Sequence, residues 1–288
     1  MTLRDALRLG HHYLEGWLDS PRLECELLLV ALLERSRAEL LAHPEIVLEP
    51  IQEMRFLDWL ELRRIDYPLQ YLRGFQEFYG RRFRVNREVL IPRPETETLI
   101  EVSLEWLADR RAELRVADLG TGSGCLTVSL CCEKPGLRVV ASDLHFPALK
   151  VAAANCRDWG CRDRVHLVCG DLWGFLADGH CFDLIVSNPP YVRTDEPRDL
   201  QSGVRDFEPH LALFGGRDGL DLYRRLLVQA ERHLANKGAM ILEIGADQEG
   251  EVSRLAQAEG WKIPAVRSDL AGRARCLVLS PPTERRLR

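Results

Sequence analysis

Two hydrophobic periods occupy this 288-residue chain, and the point where one gives way to the other divides it. Up to about residue 73 the apolar positions keep helical spacing. Ser20-Pro21 reads as an N-cap followed by a first-turn proline, with Glu24 and Glu26 near the positive end of the helix they open. Leu27, Leu28, Val30, Ala31 and Leu32 of that helix are expected to be largely buried. A second helix is predicted from about Ser36 to Ala42, ending near Pro44. A third runs from Glu49 to Ile65, with Ile51, Met54, Leu57 and Leu62 near helical spacing. Residues 1–73 therefore predict a small helical bundle.

Between Gly74 and Pro92 the pattern changes. Phe75, Phe78, Tyr79, Phe83, Val85, Val89 and Leu90 interleave with charge around Gly80, which predicts a β-hairpin linker over residues 74–93. Pro94 suits the first position of a helix, and Glu95 and Glu97 favour its positive end. From there strands and helices alternate. Candidate strands are Arg115–Leu119, Arg138–Ser142, Val165–Cys169, Asp183–Ser187, Ala239–Ile244, Lys262–Arg267 and Arg275–Leu279. Helices are expected near Cys125–Glu133, Ala148–Trp159, Leu220–Leu234 and Glu249–Ala258. This is an α/β pattern, a Rossmann-like seven-stranded doubly wound sheet over residues 94–288. Arg285, Arg286 and Arg288 read as a solvated tail.

Composition narrows the class without naming a function. A hydrophobic fraction of 46% and a charged fraction of 29% are those of a soluble globular protein. No apolar run approaches bilayer length, and no signal-peptide pattern opens the chain, so no membrane partner is expected. The nine cysteines include no Cys-x-x-Cys pair and no partnered histidine spacing, which points to a reducing cytoplasmic compartment and no metal. A net charge of −5 argues against a protein that gains its affinity by neutralising phosphates, so no direct nucleic-acid binding is expected.

Asn188-Pro189-Pro190-Tyr191 carries the most chemistry. It follows the apolar run Phe182–Ser187, so Asn188 falls at the carboxyl end of a buried strand, where open α/β sheets bind ligands. Two consecutive prolines stiffen the loop and remove two backbone donors, leaving acceptors. Tyr191 adds an aromatic face. A planar –NH2 group suits such a pocket: acceptors for its N–H bonds and a ring to stack on.

Upstream, Asp118-Leu119-Gly120-Thr121-Gly122-Ser123-Gly124 closes the first strand of the large domain and opens a helix. Glycines let the backbone turn sharply and approach a ligand. The spacing is G-x-G-x-G rather than the dinucleotide fingerprint G-x-G-x-x-G. Asp118 beside the turn would repel a pyrophosphate but suits the ammonium of an amino-acid-bearing cofactor. Asp143, past the second strand, is placed to accept both ribose hydroxyls. Asp171, past the third, is placed to accept from an adenine amino group, with Leu172 flanking the ring. The ordered set at four successive strand ends favours S-adenosylmethionine over NAD.

Further segments join these motifs: Pro68-Leu69-Gln70-Tyr71 with Gly74, Glu77-Phe78-Tyr79-Gly80, Leu90-Ile91-Pro92-Arg93-Pro94-Glu95-Thr96-Glu97, Arg205-Asp206-Phe207-Glu208-Pro209, Gly215-Gly216-Arg217-Asp218-Gly219-Leu220, Leu242-Glu243-Ile244-Gly245 and Asp269-Leu270-Ala271-Gly272-Arg273. With them the chain resembles, over nearly its whole length, the HemK/PrmC family of protein-(glutamine-N5) methyltransferases. The resemblance implies a helical N-terminal domain that docks the substrate, a β-hairpin linker and a seven-stranded S-adenosylmethionine-dependent methyltransferase domain. It implies as substrate the glutamine of the Gly-Gly-Gln loop in peptide chain release factors. Gly120 to Gly124, Asp143 and Asn188 would meet the cofactor, and Asn188 to Tyr191 the glutamine. Asn188 Oδ1 and the Pro189 carbonyl are expected to accept one amide N–H each, and Tyr191 to stack on the amide plane. No general base is nominated, and His11, His12, His166 and His233 are read as surface or packing residues. Arg93 and Glu95 are read either as helix-initiating residues or as groups that close over the site. Two alternatives share these motifs: a nucleic-acid amino-methyltransferase with the same Asn-Pro-Pro-Tyr pocket, and a non-catalytic cofactor-binding module.

Overall fold

The computed structural model describes residues 1–110, 113–174, 179, 181–195 and 200–282. The tail predicted at Arg285, Arg286 and Arg288 lies outside them. The chain forms two compact units: Met1–Phe75 with Leu200–Phe207, and Gln76–Asp199 with Glu208–Arg288. No described helix is long and apolar enough to cross a membrane.

The helical unit contains α1 (Leu3–Leu14), α2 (Pro21–Leu33), α3 (Arg37–Ala42), α4 (Pro50–Arg64) and α5 (Leu69–Arg73). Reciprocal capping boxes start α1 (Thr2 with Asp5) and α3 (Ser36 with Glu39), satisfying donors the helix cannot. Ser20 precedes α2 as predicted, but its side chain makes no capping bond and Pro21 alone shapes the start. Leu3, Ala6, Cys25, Leu28, Leu29, Phe56 and Leu60 form the core. Two expectations shift here. In α2 the fully buried face is Cys25, Glu26, Leu28 and Leu29, with Leu27 and Val30 to Leu32 only partly covered. In α4 Phe56, Leu60 and Arg63 face inward, while Ile51, Met54 and Leu57 are exposed. Arg63 belongs inside because Glu24 accepts from its Nε at 3.0 Å and the Tyr67 carbonyl accepts from its other end.

One further helix of this unit, α9 (Ser202–Phe207), comes from far along the chain. Asp66 Oδ2 accepts from Ser202 Oγ at 2.5 Å and from the Gly203 N–H at 2.9 Å. The rings of Tyr67 and Phe207 meet edge to face, with centroids 5.0 Å apart.

In the larger unit a hairpin of β1 (Phe75–Phe78) and β2 (Arg81–Arg84) turns at Tyr79-Gly80, both at positive φ, as a two-residue hairpin loop requires. A 3₁₀ turn, Pro94–Thr96, leads into α6 (Glu97–Leu107). The sheet contains β3 (Leu114–Leu119), β4 (Leu137–Asp143), β5 (Val165–Cys169), β6 (Phe182–Ser187), β7 (Leu234–Glu243), β8 (Lys262–Ser268) and β9 (Ala274–Ser280). Its order is β5-β4-β3-β6-β7-β9-β8, and β9 alone runs antiparallel to its neighbours. The helices between the strands are α7 (Cys125–Glu133), α8 (Phe146–Asp158), α10 (His210–Leu213), α11 (Asp221–Gln229) and α12 (Glu249–Ala258). The helix expected over Leu220–Leu234 ends at Gln229 in a 3₁₀ turn, and β7 starts at Leu234, five residues before the predicted Ala239. A bulge explains this: Leu234 pairs with Phe182, and the register then shifts before Ala239 pairs with Leu184.

Strand alternation divides the core into two layers. Val116, Leu184, Val186 and Ile241 pack on one face with Leu99, Ile100 and Val128. Ala117, Leu119, Ile185, Met240 and Leu242 pack on the other with Tyr223, Leu226 and Val252. The chain winds outward from β3 through β4 to β5 and then returns to place β6 beside β3. The β3/β6 junction is the topological switch point, where a crevice opens beyond the strand ends.

Candidate active site

A cavity of about 330 Å³ lies at that junction. Its wall is built from Gly120 and Gly122 after β3, Asp143 to His145 after β4, Asp171 and Leu172 after β5, and Asn188 to Pro190 after β6. Val89 and Leu90 close one side, and the segment Pro209 to Phe214 contributes to the lip.

The glycine loop is held from below. The N–H groups of Gly120 and Thr121 both donate to the Ser142 carbonyl at 2.9 Å. Gly122, at φ 54°, donates to Asp143 Oδ2 at 2.8 Å, and the His145 N–H donates to Oδ1 at 2.8 Å. Asp143 is thus fixed on both oxygens by backbone, and each oxygen keeps a lone pair for a hydroxyl. A Cβ built at Gly120 or Gly122 meets no protein atom, and both residues face the cavity.

Asp118 was expected beside the cofactor's ammonium, but it does not line the cavity. Alternation turns it to the same face as Val116, toward α7, and it is fully buried. Its Oδ2 accepts from Thr121 Oγ1 at 2.7 Å and Thr127 Oγ1 at 2.6 Å, tying the glycine loop to α7. Among the described residues its Oδ1 has no hydrogen-bond partner. Burial pushes the carboxyl up to about 6, and the charge of Asp143 adds to the shift. Thr121, Ser123 and Gly124 are likewise behind the wall. Gly124 caps α7 at φ 79°, and a Cβ there would stand 3.1 Å from the Ala152 Cβ of α8.

Asp171 is at the cavity edge, where Arg225 of α11 pairs with it at 2.8 Å. Leu172 follows in left-handed backbone (φ 48°) and lines the cavity. Asn188 Nδ2 donates to Thr96 Oγ1 at 3.1 Å, which leaves Oδ1 for the cavity. Tyr191 departs from its expected place. Its ring packs into the second core layer, and the residue does not line the cavity. Gln248 holds the same loop by donating to the Tyr191 carbonyl at 3.1 Å.

Several site residues had no assigned role in the sequence reading. Glu208 is buried and accepts from Arg93 at 2.5 Å and from the Ile91 N–H at 3.1 Å, anchoring the chain that leads into Pro209 to Phe214. Burial raises its carboxyl, and Arg93 works against the shift. His145 bonds to Glu88 at 2.5 Å on the cavity rim. His11, His12 and His166 are exposed, and His233 stacks on Trp173 with centroids 4.6 Å apart.

The donor set fits S-adenosylmethionine. Asp143 can hold a ribose, Leu144, Ala148 and Leu172 form apolar walls for a flat ring, and Gly120 and Gly122 leave room at the wall that a Cβ would fill. Residues 5–74 match the family described as PrmC N-terminal domain, and residues 98–202 match the Methyltransferase small domain. A release factor glutamine methyltransferase of Moorella thermoacetica is 44% identical over 96% of this chain and 98% of its own. One from Koribacter versatilis is 42% identical over 98% and 100%. A solved methyltransferase from Pyrococcus furiosus, 18% identical, aligns with a TM-score of 0.52 over 70% of this chain and 89% of its own, and shares the fold. Fold and cavity together define a methyltransferase dependent on S-adenosylmethionine. Within that class, the chain belongs to the HemK/PrmC family of release factor glutamine methyltransferases.

Proposed function

We infer that this protein transfers a methyl group from S-adenosylmethionine to the side-chain amide nitrogen (N5) of the glutamine in the Gly-Gly-Gln loop of peptide chain release factors, and that it does so in the cytoplasm. The supporting observation is the commitment of Asn188 Nδ2 to Thr96, which turns Oδ1 toward the cavity beside the Pro189 carbonyl. Two acceptors suit an incoming –NH2 group.

An amide nitrogen is a poor nucleophile because its lone pair is delocalised into the carbonyl. Asn188 and Pro189 fix the nitrogen and favour the positive charge that develops on it, a positioning and electrostatic contribution. When bound, S-adenosylmethionine supplies an electrophilic methyl group. No side chain is needed as base, since the N-methylated amide loses its extra proton to water. Gly120, Gly122, Asp143, Asp171 and Leu172 hold the cofactor, with Asp118, Thr121, Ser123 and Gly124 shaping the loop behind them. Tyr191 supports the acceptor loop from the core. The helical domain, residues 1–73, docks the protein substrate.

The test is label transfer from methyl-labelled S-adenosylmethionine to a release factor, either wild type or with its Gly-Gly-Gln glutamine replaced. Label on the wild-type factor only is expected. Label on both, or on DNA or RNA in its place, would refute the assignment. Asn188→Ala should lower the rate by about a hundredfold, the scale of losing one preorganised polar contact, while the protein remains folded.

A further inference from the structure

We propose that a basic groove across α1, α2 and α3 grips an acidic, apolar-edged segment of the protein substrate outside its Gly-Gly-Gln loop. This docking role rests on the release-factor reading above and gives the helical unit a particular surface and a partner of stated chemistry.

Residues 1–73 contain nine arginines, no lysine and thirteen acidic side chains, so the unit as a whole is acidic. Against that balance, Arg4, Arg8, Arg22 and Arg37 line one stretch of its surface. Two clefts of about 420 Å³ each lie there, and they share His11, Arg22 and Leu41, so they form one groove. Glu26 is the only carboxylate in its wall among the described residues, and it is buried. Its oxygens accept from Arg22 Nε at 3.1 Å and from Arg37 Nε at 2.7 Å, which fixes both guanidinium groups. One carboxylate serves two arginines, so the trio keeps a positive charge. Arg22 spends only Nε on this pair, and its two terminal nitrogens remain as the fork that a second carboxylate would meet.

Folding does not account for Arg4 and Arg8. Arg4 occupies the first turn of α1, where the helix dipole disfavours a cation, and Arg8 follows at i+4, where like charges repel. Both are exposed, and among the described residues neither pairs with a carboxylate. The Arg4 N–H donates to the Pro44 carbonyl at 3.0 Å, which ties α1 to the segment that follows α3 and sets the width of the groove. Between the arginines the surface is apolar. Leu7, Leu40 and Pro44 line it with Leu41, which is 43% exposed, and Leu23 at the far end is 41% exposed. A nucleic acid would leave these side chains in water, and the acidic balance of the unit would repel its phosphates. A peptide segment with carboxylates along one edge and apolar side chains along the other meets both parts. An enzyme that modifies one glutamine of a large protein also gains from such a grip, because remote contacts supply binding energy that positions the reacting group.

The full-length enzyme, S-adenosylmethionine and a release factor test this. Arg4→Glu/Arg8→Glu is expected to raise the KM for the release factor by about tenfold or more, with kcat and the KM for S-adenosylmethionine within about twofold of the parent. Leu41→Ser raises the same KM, whereas Arg4→Lys/Arg8→Lys keeps it within about threefold. The parent's KM for the release factor rises with salt concentration, and that of the charge-reversed variant rises less steeply. The reversal takes a cation out of the first turn of α1, so its thermal midpoint should stay close to the parent's. In parallel, a fluorescent synthetic peptide with glutamates on one face of a helix and leucines on the other should bind the parent more tightly than the charge-reversed variant. An unchanged KM for the release factor in Arg4→Glu/Arg8→Glu, a loss confined to kcat, or an equal effect of Arg254→Glu on α12 would overturn the groove. A parent enzyme that methylates no release factor would overturn the substrate reading instead. The peptide needs no turnover and would then decide the groove by itself, with equal affinity for parent and variant refuting it.

Discussion

Asp118 and Glu243 are buried carboxyls near the carboxyl ends of β3 and β7, and both titrate above their ordinary range, at about 6 and about 7. Burial is the main cause for each, so each group binds its proton more tightly folded than unfolded. Stability contributed by protonation is complete below pH of about 4 and is lost as pH rises through about 6 and then about 7. Urea denaturation across this range should show stability falling from acid to neutral pH, less steeply in Asp118→Asn or Glu243→Gln; a slope unchanged in both variants would refute the assignment. Much of this scale was legible in the chain. Asp143 and Asn188 stand at strand ends, where the backbone can only present them to the crevice. The orientation of Asp118 was also encoded, since alternation along Arg115–Leu119 puts it beside Val116, away from the cavity. Thr96 gave no such signal: it looks like a helix starter, yet its hydroxyl meets Asn188, 92 residues further along the chain.

At the scale of elements, the α7–α8 contact shows how a loop glycine becomes a packing residue. Gly124 combines left-handed backbone with an approach to α8 that leaves Cβ only 3.1 Å from Ala152. Gly124→Ala should destabilise the protein by about 1–3 kcal/mol, the cost of a non-glycine residue in that conformation, and weaken cofactor binding with it. Thermal unfolding and titration calorimetry would measure both, and an alanine variant as stable as the parent would contradict the account. The strands, the hairpin and the glycine loop followed from periodicity and turn chemistry. The inward face of α4 did not, because Ile51, Met54 and Leu57 have the spacing of a core stripe while Arg63, whose charge argues for solvent, is buried by pairing with Glu24. Long-range pairing decided the matter, and local pattern does not contain it.

For the whole molecule, the division into units departs from chain order. The helical unit takes α9 from within the larger half of the sequence, through the Asp66 cap on Ser202 and Gly203 and the Tyr67–Phe207 contact. No composition shift marks residues 200–207, which is why a sequence boundary near residue 73 misses them. A fragment of residues 1–75 should therefore be less stable than the same fragment carrying residues 200–207 on a flexible linker, by about 1–2 kcal/mol, the combined scale of a helix cap and a ring pair. Circular dichroism melts of the two fragments test this, and coincident midpoints would remove α9 from the unit's stability. The same discontinuity sets a schedule for synthesis. The helical unit leaves the ribosome ahead of the sheet yet cannot be completed until residue 207 emerges, about 130 residues after Phe75. At about 5–20 residues per second, the nascent chain spends roughly 7–26 seconds with Asp66 and Tyr67 unsealed while the first four strands of the sheet appear. Chaperones that attend growing chains have that interval in which to meet an unfinished surface absent from the mature protein.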